Sequence, residues 1–171
     1  VLLPDRQGAV PAAQGLGQAM AIALAEAGAN VVGADVGALD ETRVGVEAAG
    51  RKFMAIAKNL RGTAAARRVV ERAASALGRL DILVNNAGII RRADSIEFTE
   101  ADWDDVIDIN LKSVFFLAQA AARQFLAQGG GGKIVNVASL LSFQGGIRVP
   151  SYTAAKSGVL GLTRLLANEW A

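Results

Sequence analysis

Gln14-Gly15-Leu16-Gly17-Gln18-Ala19-Met20-Ala21-Ile22-Ala23-Leu24-Ala25-Glu26-Ala27-Gly28-Ala29-Asn30-Val31-Val32-Gly33-Ala34-Asp35 is the stretch on which the fold turns. Residues 16–27 are dominated by alanine, leucine and methionine, strong helix formers, and Gly28 stands where such a helix stops. Residues 30–34 then form a short β-branched run that reads as a strand.

The alternation continues down the chain. Further strands are expected at residues 53–57, 81–84 and 133–138, and helices at about 63–77, 100–128 with a break near Asn110, and 151–170. Strands separated by helices pair in parallel through right-handed crossovers, with helices on both faces of the sheet. The expected fold class is α/β: a Rossmann-type, doubly wound parallel sheet in three layers, forming one domain. Gly78 is a second helix stop, and Gly129 to Gly132 form a flexible approach to the strand at Lys133. Thr99-Glu100-Ala101-Asp102 reads as a capping box with Asp in place of the usual Glu. Pro4-Asp5-Arg6-Gln7-Gly8-Ala9 stands where a buried first strand is required, yet it is polar.

Composition narrows the chemistry. The 171 residues include no histidine and no cysteine, which excludes Ser-His-Asp and Cys-His catalysis and zinc sites built on those ligands. A proton carrier must then be Tyr, Lys, Asp or Glu. With 52% hydrophobic and 20% charged residues the chain is suited to a packed core rather than to disorder. A net charge of +2, with Arg67-Arg68 and Arg91-Arg92 as the densest basic pairs and no interleaved aromatics, gives little support to nucleic-acid binding. Charges interrupt every apolar run well before the ~20 residues of a membrane span. The first residues lack a basic leader with an apolar core, so a cytoplasmic protein is expected.

Within those limits one constellation stands out. Tyr152, the chain's single tyrosine, is followed four residues later by Lys156 and preceded thirteen residues earlier by Ser139. Positions i and i+4 share a helix face, and an ammonium group beside a phenol favours the phenolate. Convergence of the three would give a complete apparatus for moving a proton. At the other end, Gln14-Gly15-Leu16-Gly17 opens a helix whose unpaired N–H groups and dipole favour a phosphate. Asp35, eighteen residues after Gly17, falls at a strand end where a carboxylate accepts hydrogen bonds from an adenosine ribose and repels a 2′-phosphate, favouring NAD over NADP. Asn85-Asn86-Ala87-Gly88 directly follows another strand, where open α/β sheets place ligands. Taken singly, each motif also has a plain structural reading: an exposed helical pair, a turn carboxylate, an Asn-Gly turn.

Together, Gln14-Gly15-Leu16-Gly17, Asp35, Asn85-Asn86-Ala87-Gly88, Asn110, Ser139 and Tyr152-x-x-x-Lys156 resemble, in order and spacing, the short-chain dehydrogenase/reductase family. The resemblance implies that Tyr152 is general acid in reduction and base in oxidation, and that Lys156 favours its phenolate and binds the nicotinamide ribose. It implies that Ser139 holds the substrate oxygen and that Asn110 kinks its helix and anchors a water. Asn59 and Leu60 are then adenine contacts, with Asn59 in place of the family's aspartate, and Asn86, Ala87 and Gly88 line the cofactor. Val10-Pro11 replaces the family's Thr-Gly; proline lacks an N–H and fixes φ, which alters the phosphate turn. Members of the family continue with two further strands and a substrate-covering segment, so the resemblance also implies a fragment, and a homotetramer for the full-length protein.

Residues 80–92 and 142–152 resemble family members acting on deoxy-ketogluconate sugar acids. Arg148, four residues before Tyr152, is the preferred partner for the substrate carboxylate over Arg91 and Arg92, and Gln144 is a candidate for its hydroxyls. A gluconate or 3-oxoacyl substrate would preserve the same chemistry. An inactive remnant is the competing expectation, supported by Pro11.

Overall fold

The computed structural model describes residues 15–35, 37–57 and 60–171. The expected first strand, Val10-Pro11, Gln14 and Asn59 lie outside the described residues. In chain order the elements are α1 (Leu16–Glu26), β1 (Val31–Asp35), α2 (Asp40–Ala48), β2 (Phe53–Ala57), α3 (Thr63–Leu77) and β3 (Ile82–Asn85). They continue with a 3₁₀ turn (Ser95–Glu97), α4 (Glu100–Ile107), a π-helical turn (Asp108–Lys112), α5 (Ser113–Ala127), β4 (Lys133–Asn136), α6 (Leu141–Gln144) and α7 (Pro150–Trp170).

Both strand pairs are parallel: β1 with β2, from Val31 opposite Phe53 to Asp35 opposite Ala57, and β3 with β4, from Ile82 opposite Lys133 to Asn85 opposite Asn136. Consecutive strand residues point to opposite faces, and the sequence supplies an apolar residue for each. Val32, Ala34 and Ile56 join Leu83 in a core closed by Val69, Val70 and Ala73 of α3 and by Leu117, Ala121 and Phe125 of α5. Val31 and Val84 face the other way, toward Ala21 and Ala25 of α1 and Val46 of α2. The two strand pairs therefore contribute to both cores, which is the expected three-layer α/β/α arrangement. All five residues of β1 are buried, as a strand covered on both faces requires.

Chain punctuation follows the sequence reading closely. Gly28 has φ +100°, and Gly28 N–H donates to the Ala25 carbonyl while Ala29 N–H donates to the Leu24 carbonyl, closing α1 in a Schellman motif. Thr99 Oγ1 accepts from Asp102 N–H at 3.1 Å, which is one half of the expected capping box. The Asp102 carboxylate turns instead to Arg91, 3.3 Å from its Nε.

Several elements depart from expectation, among them α6, which the sequence did not indicate. The helix α2 was not legible, because Gly45 weakens its pattern; a Cβ there would fall 2.5 Å from Ile22 Cδ1, so the glycine lets α2 approach α1. The predicted break near Asn110 is a full π-helical turn over Asp108–Lys112. The last helix begins one residue early, with Pro150 in its first turn, where the missing N–H costs nothing.

Candidate active site

Asp35 ends β1, Asn86-Ala87-Gly88 follows β3, and Tyr152 and Lys156 lie on the first turns of α7. Asn110 shows how the site is braced. Its side chain is fully buried, Oδ1 accepting from Ile89 N–H at 2.8 Å and Nδ2 donating to the Ile89 carbonyl at 2.8 Å. This two-point clasp fixes the segment that follows Asn86-Ala87-Gly88 to the π-helical turn. Truncating Asn110 to alanine strands a buried N–H and a buried C=O together, an expected loss of roughly 2–5 kcal/mol in urea unfolding. A loss below about 1 kcal/mol would remove the clasp from the account.

Ile89, Val106, Ile109 and Ala155 form a buried cluster against which the Tyr152 ring packs, so three separate elements hold the aromatic body. Lys156, on the same face of α7, is only 4% exposed. Its Nζ donates to the Val137 carbonyl at 2.7 Å and lies 5.9 Å from the Tyr152 ring centroid, at the limit of a cation–π contact. Burial lowers the Lys156 pKa from 10.5 to about 8, so the group is still mostly an ammonium at neutral pH. Lys156 Nζ is held by a backbone carbonyl just past β4 that the sequence did not single out.

Ser139 lies in the turn between β4 and α6. Its Oγ accepts from Leu141 N–H at 3.2 Å, which leaves its own proton available to donate. Asn85, at the end of β3, donates through Nδ2 to Asn136 Oδ1 at 2.9 Å, and Asn136 in turn donates to Thr163 Oγ1 at 3.0 Å. That chain ties both strand ends to α7.

At the cofactor end, Asp35 is buried at the end of β1 and its Oδ1 accepts from Gly37 N–H at 2.8 Å. Gly15, which has no side chain to cap with, precedes α1, and Gly17 is buried in its first turn. Leu60 is buried against α3 in the main core, a packing role that its sequence position did not reveal. A carboxylate at a strand end, a glycine-bounded helix start and an ammonium beside a tyrosine are the kinds of group that fit a dinucleotide.

The arginines divide in a way that spacing could not show. Arg91 is engaged by Asp102 and by Asp105, whose Oδ2 lies 3.2 Å from Nη2, and Asp105 also holds Arg61 at 2.7 Å. Arg148 is exposed and pairs with Asp94 at 2.9 Å, while its carbonyl accepts from Ala93 N–H. Its φ of +63° is the single left-handed conformation of a non-glycine residue among the described residues. Gln144 ends α6 and is exposed.

The family model for short chain dehydrogenase matches residues 9–171. The chain belongs to that family. A 2-dehydro-3-deoxy-D-gluconate 5-dehydrogenase of Escherichia coli (strain K12) is 59% identical over 157 residues, covering 92% of this short-chain dehydrogenase chain and 62% of the relative. A crystal structure of a candidate 2-deoxy-D-gluconate 3-dehydrogenase from Agrobacterium tumefaciens with bound NADP is 55% identical with a TM-score of 0.86, over 99% of this chain and 65% of that one. Carveol dehydrogenase from Mycobacterium avium in complex with NAD is 31% identical with a TM-score of 0.86, over 98% and 64% of the two chains. The chain thus spans under two thirds of these relatives' length. Among the described residues no helix is long and apolar enough to cross a membrane.

Proposed function

We propose that the protein is an oxidoreductase that interconverts a keto and a hydroxy group on a deoxy-ketogluconate sugar acid with a nicotinamide cofactor. The carrying observation is the buried Lys156 ammonium, held on the Val137 carbonyl beside the Tyr152 ring, in a chain of this family. The 59% identity to a 2-dehydro-3-deoxy-D-gluconate 5-dehydrogenase supports the sugar acid as substrate. When bound, the cofactor supplies or accepts the hydride.

The chain's own residues manage the proton and the charge. Tyr152 gives a proton to the substrate oxygen in reduction and removes it in oxidation, and Lys156 supplies the positive charge that favours phenolate at the moment of transfer. Ser139, with its proton free to donate, stabilises the developing oxyanion. Arg148 is the suited partner for the substrate carboxylate, since Arg91 is already occupied by two carboxylates. A substrate anion there would exchange with the exposed Asp94, a loose contact worth little by itself. Gln144, exposed at the end of α6, is the candidate for the substrate hydroxyls.

Asp35 supports NAD over NADP, because a buried carboxylate repels a 2′-phosphate. The expected result is NADH binding at least about ten-fold tighter than NADPH by fluorescence titration, a gap of about 1.4 kcal/mol that Asp35→Ala narrows. Equal affinities in the unaltered protein would assign the preference to other residues. The function is tested by following NADH formation from NAD+ as the hydroxy group of 2-dehydro-3-deoxy-D-gluconate is oxidised in the 5-dehydrogenase sense. Saturable NADH binding without turnover on any sugar acid, gluconate-type substrates included, would reject the substrate assignment. Neither binding nor turnover would favour an inactive remnant.

A further inference from the structure

We propose that Ser142 is a positioning residue that ties the Ser139 turn to α7 and so holds the serine in register with Tyr152 and Lys156. The inference rests on the oxidoreductase reading for its effect on turnover, and on hydrogen bonding alone for the tether itself. Ser142 Oγ donates to the Lys156 carbonyl at 2.8 Å and accepts from Ser139 N–H at 3.2 Å. The direction of both bonds is fixed by their partners, because a carbonyl can only accept and an amide N–H can only donate. A single hydroxyl therefore touches the backbones of two candidate catalytic residues that reach the site on different elements.

The main chain of Ser142 strengthens the junction. Ser142 N–H donates to the Ser139 carbonyl at 3.0 Å, and the Ser142 carbonyl accepts from Ser157 Oγ at 3.4 Å. A serine that merely closes a short helix bonds within its own turn, as Ser139 Oγ does with Leu141 N–H. The bond from Ser142 to Lys156 crosses fourteen residues and joins α6 to α7, so it is a tertiary contact. Lys156 is thereby held at both ends, through its carbonyl by Ser142 and through Nζ by the Val137 carbonyl. Loss of the hydroxyl frees the Ser139 turn to drift, and an ångström of drift at a reacting group costs up to about 100-fold in rate.

The test compares Ser142→Ala with Ser142→Thr, which keeps the hydroxyl. In Ser142→Ala the Ser139 amide is expected to exchange with deuterium at least about ten-fold faster, while the Val137 amide, bonded to the Asn85 carbonyl, keeps its protection. Turnover per active site falls about 10- to 100-fold with KM for NADH within about two-fold, and Ser142→Thr recovers most of it. A purely structural serine would lower the melting temperature without moving kcat. Where alanine prevents folding, Ser142→Cys, a weak donor of similar size, gives the same readout. Unchanged Ser139 protection together with unchanged kcat overturns the proposal. Faster Ser139 exchange in a protein that never turns over NADH sustains the tether and rejects the oxidoreductase reading.

Discussion

Tyr152→Phe is expected to lower turnover by about 10²–10⁴-fold while leaving NADH affinity nearly unchanged, because the substitution removes one hydroxyl and keeps the ring. The ring is the part that the structure anchors, packed against Ile89, Val106, Ile109 and Ala155. Folding and the surrounding surface should therefore survive, and the loss should appear in kcat and kcat/KM together, as for an interaction made only in the transition state. Steady-state kinetics alongside an NADH titration measures both quantities. Turnover retained within a few-fold would place the proton carrier elsewhere, with Lys156 the next group to test.

Lys156→Met should abolish turnover and, at the same time, change how stability depends on pH. Burial holds the Lys156 pKa at about 8 in the folded protein, against 10.5 for the ordinary group. Below about pH 8 both states carry the ammonium, and the folded one bears the full cost of burying it. Between about pH 8 and 10.5 the folded protein has released that proton and the unfolded chain has not, so stability rises with pH across this window. The penalty relieved is about 3 kcal/mol, taking about 1.4 kcal/mol per pKa unit, and methionine never bears it. In paired denaturation curves without cofactor, the advantage of Lys156→Met over the unaltered protein should shrink steadily from pH 8 to about 10.5. A constant gap over that range would mean that Lys156 is not desolvated as the structure has it. Activity and stability pull in opposite directions at this position, a common mark of a site built for chemistry.

Sequence reading succeeded where the physics is local. The run 63–77 reproduces α3 at both ends, and Gly28 and Gly78 end helices because each takes up positive φ. Asn110 was recognised as a break, yet its clasp on Ile89 joins residues 21 apart and has no local signature. The helices α2 and α6 were missed for the same reason. Gly45 is explained by the nearness of Ile22, and α6 by its packing on α7, neither of which shows in periodicity. Spacing prefers Arg148 to Arg91 for its nearness to Tyr152, but only the folded arrangement puts Asp102 and Asp105 around Arg91 and Asp94 beside Arg148.

What the sequence determined alone was the alternation of elements, the absence of histidine and cysteine chemistry, and the i, i+4 placement of Tyr152 and Lys156 on one helix face. These depend on composition and short-range geometry, which a linear chain carries explicitly. Tertiary structure decided the rest: how deeply Lys156 is buried, which hydroxyl and which carbonyl hold its two ends, and which carboxylates each arginine meets. Such properties arise from groups distant in sequence sharing one low-dielectric region, and only folding brings those groups together.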